Sequence, residues 1–154
     1  MDRFLAVFQN PFLSVALSSW FIAQVIKTII HAILTGKLSW ERLFGDGGMP
    51  SGHSATVSSL AMLSGLVYGL DSFEFALAGI LAVIVCHDAM GVRLETGKQA
   101  QLINEIQKAV EILSKKELPE VKLKEFVGHT PSQVVAGVTI GLINGALFYF
   151  LWFM

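Results

Sequence analysis

The residues with the most chemistry in them fall into three short clusters. The first reads Gly47-Gly48-Met49-Pro50-Ser51-Gly52-His53-Ser54-Ala55. A glycine-rich turn running into a helix presents backbone N–H groups with no helical acceptor, and such groups bind anions. Gly52 lets the backbone approach a phosphate, the amides of Ser51 to His53 can point inward, and His53 adds a titratable ring. Ser51 would serve equally as an ordinary N-cap. The second cluster is His129, preceded by Gly128 and standing two residues before Pro131. It is either a polar anchor at a membrane boundary or a nucleophile whose ring is held from one helical turn on, at Gln133. The third cluster is Asp88 and Arg93, flanking Ala89-Met90-Gly91-Val92. An ionisable group beside a membrane span is a functional candidate, and arginine can grip a phosphate through two parallel hydrogen bonds. These two could also pair with each other, and both readings can hold. Lys27 lies inside an apolar stretch, where it either snorkels to the headgroups or reaches the same site. His31, His87 and Cys86 read as packing residues. The chemistry these types suggest is that of phosphate at a bilayer surface.

Clusters so far apart in sequence need a scaffold that brings them together, and the chain supplies an apolar one. Of its 154 residues 53% are hydrophobic and 15% charged, against about 25% charged in a soluble domain; the mean hydropathy is +0.61. Four stretches, about 11–34, 54–70, 73–90 and 134–154, are apolar enough to be read as membrane helices, each near the roughly 20 residues a crossing takes. The expected fold is therefore all-α: an integral membrane bundle of about four transmembrane helices in one domain spanning 1–154. Arg3 and the first stretch superficially fit a signal peptide, but the stretch is too long and ends in no small-residue cleavage site, so a retained helix is expected. Small residues spot all four stretches. Gly137, Gly141 and Gly145 form two overlapping G-x-x-x-G patterns, which suit packing within the bundle or a homodimer about equally.

The only polar segment, 91–128, reads as a cytoplasmic helical insert. It holds Arg93, Lys98, Lys108, Lys115, Lys116, Lys122 and Lys124, seven of the eleven basic residues. Over 99–113 the apolar positions Leu102, Ile103, Ile106, Ala109, Val110 and Leu113 recur at helical spacing, predicting an amphipathic helix on the membrane surface or under the bundle. Pro119 ends it, and a short second helix is expected over 121–127. Lys37 and Arg42 sit in the first loop, whereas the second carries only Asp71 and Glu74. The bias in lysine and arginine puts loops one and three in the cytoplasm, with Arg3 alone against it. All three clusters then land on one membrane face. The net charge of −1 offers no field for nucleic acid. The single cysteine excludes an internal disulfide, and no Cys/His spacing suits zinc.

Taken in order, Gly48-Met-Pro-Ser-Gly-His-Ser-Ala55, Asp88-Ala-Met-Gly-Val-Arg93 and Gly128-His-Thr-Pro-Ser-Gln-Val-Val-Ala-Gly137 resemble the divergent branch of the type 2 phosphatidic acid phosphatase and vanadium haloperoxidase superfamily. The resemblance spans nearly the whole chain. It implies that His129 is the nucleophile, His53 the general acid, and Ser51 and Gly52 part of the phosphate cradle. The chain departs from the pattern in three places. Lys27 is followed seven residues on by Leu34 rather than by Arg-Pro, and Leu123 stands where an arginine precedes the nucleophile, leaving Arg93 or Lys124 to substitute. Gln133 replaces a carboxylate. An amide can hold the ring tautomer but cannot balance imidazolium charge, and losing the analogous carboxylate in a serine-protease triad costs about 10⁴ in rate; Asp88 is then the alternative acid.

The resemblance implies a lipid phosphate phosphatase that acts through a phosphohistidine, without metal or cofactor, with Lys27, Arg93 and the Ser51–His53 amides on the phosphate oxygens. A phospholipid precursor such as phosphatidylglycerophosphate or phosphatidate is the expected substrate, membrane lipids the expected surroundings, and the bacterial plasma membrane, with the site facing the cytoplasm, the expected location. The alternative is a non-catalytic protein that binds a lipid phosphate, which Gln133 favours. A haloperoxidase is the weakest reading, because those enzymes are as a rule larger and soluble.

Overall fold

The computed structural model describes residues 9–38, 47–115, 123 and 127–154. Among them all regular structure is helical: α1 Pro11–Thr35, α2 Gly52–Tyr68, α3 Phe73–Met90, α4 Val92–Ser114 and α5 Pro131–Phe153. Arg3, Arg42, Lys116, Pro119, Lys122 and Lys124 lie outside the described residues. So does most of the short helix expected over 121–127; Leu123 and Val127 themselves are not helical.

Local chemistry sets the helix ends. Asn10 caps α1, its Oδ1 accepting from the Phe12 amide at 2.9 Å, and Pro11 sits at the first position, where no N–H is needed. Gly36 ends the helix in the left-handed conformation at φ 67°. Ser51 and Ser72 cap α2 and α3 through bonds from Ser54 N and Phe75 N. Only Gly91 separates α3 from α4, so the amphipathic helix expected over 99–113 begins at Val92 and runs on to Ser114.

Among the described residues three runs are long and apolar enough to cross a membrane: α1, the α3–α4 stretch, and α5. The expected second span differs. It keeps 17 residues but lies two residues earlier than 54–70, between its Ser51 cap and Gly69, and makes about 26 Å of helix against roughly 30 Å of hydrocarbon. It is also the central helix of the bundle. α2 packs against α1, α3 and α5, and most of its buried residues are small (Gly52, Ser54, Ala55, Ser58, Ser59, Ser64, Gly65). α5 meets it with Gly137, Gly141 and Gly145, where a Cβ would overlap or crowd the carbonyl oxygens of Ser51, Ala55 and Ser59. The glycine stripe is thus spent inside the bundle. Deeper down, Asn144 Nδ2 donates to Ser18 Oγ and Ser19 Oγ at 3.0 and 2.8 Å, tying α5 to α1 by interhelical hydrogen bonds.

The outward faces are apolar. Leu77, Ile80, Val83 and Ile84 of α3 and Leu17, Phe21, Ile29 and Ile33 of α1 are more than half exposed, the inverse of a soluble fold and what a lipid solvent requires. α4 stands apart, packing among the described helices only on α3. It buries Gly97, Ala100 and Asn104, while Leu102, Ile103, Ile106 and Val110 face outward. The amphipathic face is therefore not under the bundle. Asn104 fastens the opposite side to the returning chain, bonding both the N–H and the C=O of Leu123.

Candidate functional site

Backbone bonds join the three clusters before any side chain does. The Ser51 N–H donates to the Gln133 carbonyl at 3.0 Å, locking the start of α2 to the start of α5. The His129 N–H donates to the Ala89 carbonyl at 2.9 Å, locking the same corner to the end of α3. Gly128, at φ 86°, lies so close to Arg93 and Leu94 that a Cβ there would overlap their backbone. A cavity of about 210 Å³ results, lined by residues of all three clusters: Gly47 and His53; Asp88, Ala89 and Arg93; Gly128 and His129.

His129 is 4% exposed, and its environment fixes its proton. The Thr130 N–H, which can only donate, meets the Gln133 side-chain oxygen at 3.1 Å, as in a capping box. That identifies the atom as Oε1. An oxygen of this kind can only accept, so His129 Nδ1, 3.2 Å from the same atom, carries the ring proton. Nε2 keeps its lone pair. Burial lowers the His129 pKa below the ordinary 6.5; the nearby charges of Lys27 and His53 act the same way, and the Gln133 oxygen and the Gly48 carbonyl oppose them. The ring is held neutral and nucleophilic near neutral pH.

His53 faces it. The two ring centroids are 6.5 Å apart with planes inclined at 58°. Two hydrogen-bond lengths of about 3 Å each span such a gap, so one phosphate group can touch both rings. Lys27 is 5% exposed, and its side chain runs beneath the turn: a Cβ on Gly48 would stand 3.5 Å from Lys27 Cγ. It does not snorkel away from the site. Asp88 and Arg93 both line the cavity and form an ion pair with each other through Oδ2 and Nε, which leaves the guanidinium's terminal nitrogens for a ligand.

Two expected cradle groups are arranged differently. The Ser51 amide is spent on the Gln133 carbonyl, and its Oγ accepts from Ser54 N and Ser54 Oγ. Ser51 is a fully buried cap that joins α2 to α5 and does not line the cavity. The amides of Gly52 and His53 belong to the first turn of α2, which has no helical acceptor for them. Gly52 faces α1: a Cβ there would meet Trp20 Cδ1 at 3.3 Å and Gln24 Cδ at 3.9 Å. Gln24 went unread in the sequence, although a glutamine inside an apolar span is itself a signal.

Comparison with known proteins places these features in a family. The family profile described as "Divergent PAP2 family" matches residues 8–144. A Bacillus subtilis (strain 168) protein named "Uncharacterized membrane protein YuiD" is 41% identical over 142 residues, covering 86% of this chain and 89% of its own. No solved structure matches.

Proposed function

From the premise that the chain belongs to the divergent PAP2 family, we propose that it is a membrane-embedded phosphatase that hydrolyses a phosphate monoester or diphosphate carried by a lipid. The observation that carries the reading is the composition of one cavity. His53 and His129 share it with Ile84 and Val85 of α3, and Ile84 is 58% exposed on the outward, apolar side. A phosphorylated headgroup fits the polar end while its acyl chains continue along α3.

Catalysis runs in two displacements. His129 Nε2 attacks phosphorus; the bond from phosphorus to the leaving oxygen breaks, and His53 gives that oxygen its proton. The neutralised His53 then takes a proton from water, the resulting oxygen attacks the phosphohistidine, and the P–N bond breaks to release phosphate. Lys27, Arg93 and the Gly52 and His53 amides oppose charge growing on the equatorial oxygens. Phosphatidate and phosphatidylglycerophosphate are substrates of the right chemistry. The site works on the cytoplasmic face, where the lysine- and arginine-rich loops belong.

Gln133 favours a second reading, in which the pocket binds a lipid phosphate without turning it over, because an amide leaves the imidazolium of a departing phosphohistidine unbalanced. Phosphate release from these lipids by the purified chain in bilayer discs decides between them. The phosphatase reading expects His129→Ala to lower the rate by about 10³ or more; equal release from both proteins retires it.

A further inference from the structure

Gln24 is 5% exposed, and its Oε1 is buried with no hydrogen-bond partner among the described residues. Its carboxamide lies against Gly52, in the first turn of α2, and one turn of α1 from Lys27. A buried acceptor without a donor is costly, and native structures retain one where something else supplies the hydrogen. The groups beside it that the phosphate reading uses are donors: the Gly52 and His53 amides of the first turn and the Lys27 ammonium. An anion bound among donors satisfies those groups but offers Gln24 nothing, unless the anion itself carries a hydrogen.

We propose that Gln24 is a specificity-determining residue whose Oε1 accepts the P–OH of a singly protonated phosphate monoester bound at the start of α2. The inference rests on the phosphate reading of the site and narrows it. A monoester carries that proton below its second ionisation, near pH 6 or so. A phosphodiester or a sulfate ester, which has no such proton, leaves Gln24 unpaired. The charged and titratable groups at this end of the bundle are Lys27, one turn of α1 from Gln24, and those lining the cavity: His53 on α2, Asp88 at the end of α3, Arg93 on α4 and His129 ahead of α5.

Methyl phosphate and methyl sulfate at pH 5 make a matched pair of probes, equal in charge and nearly so in shape, differing in one hydrogen. Binding of each is measured to the full chain in bilayer discs, for the wild type, for Gln24→Met and for Gln24→Leu. Wild type should prefer methyl phosphate by about tenfold, the worth of one hydrogen bond. Either variant should lose that preference while binding methyl sulfate as before, and unchanged methyl sulfate affinity also reports an intact pocket. A preference that survives in the variants overturns the role of Gln24 and leaves the phosphate site standing. So does equal weakening of both anions. A wild-type chain that binds neither probe overturns the site itself, and this inference with it.

Discussion

The α2–α5 seam and the α3–α4 arm reach the same cavity by opposite means. Along the seam, glycines bring two backbones into contact, and no side chain separates Gly137, Gly141 and Gly145 from the carbonyls of α2. Along the arm only Ala78 and Ala89 of α3 are buried, and the rest of that helix is half-buried or exposed. The seam holds the histidines; the arm supplies Asp88, Arg93 and an apolar wall. Rigid geometry thus sits where bonds would be made and broken, and tolerance sits where a varied lipid would lie. Positioning within about 1 Å matters for the first and little for the second.

The largest effect that could break this contrast comes from one added side chain. Gly141→Leu drives a Cβ into the Ala55 carbonyl and should cost about 3 kcal/mol or more, the upper range for overpacking. Gly79→Leu on α3, with nothing within 4 Å, should stay within roughly 0.5 kcal/mol. Thermal midpoints in one detergent compare them, and similar shifts would show that the seam is no tighter than the arm. Next in size, Gln133→Glu places a carboxylate on His129 Nδ1 without moving the seam. Phosphate release should rise about 10- to 100-fold, a fraction of what a full triad carboxylate is worth. A flat response would mean that position 133 serves only as a helix cap. Smallest, Asp88→Asn on the arm frees Arg93 from an exposed pair. Stability should change by less than about 1 kcal/mol, and KM should fall a few-fold as the guanidinium turns to the phosphate. A drop in rate near that of His129→Ala would instead make Asp88 part of the reacting machinery.

Hydropathy alone locates α1, α3 and α5 to within a few residues, because lipid demands long apolar runs and little else resembles them. It places α2 two residues too far along, at 54–70 rather than 52–68, because its ends depend on which serine caps it and which glycine ends it. That three clusters share a side follows from counting spans. How they touch does not. The Ser51 amide looks free for an anion until α5 is seen to bring the Gln133 carbonyl against it. G-x-x-x-G reads the same whether the facing helix belongs to this copy or another, and only the carbonyls of Ser51 and Ala55 decide. Gln133 is the reverse case. Its spacing from His129 marks it as the ring's holder, and the Thr130 N–H adds what spacing cannot, namely which of its two atoms does the holding.

The bond from Ser51 to Gln133 also acts as a mechanical transmission. It ties α2, the shortest described helix, to the residue whose side chain holds the His129 ring, so a thicker or stiffer bilayer that pulls on α2 would pull on that imidazole too. On the phosphatase reading, turnover should then follow acyl-chain length in the host membrane.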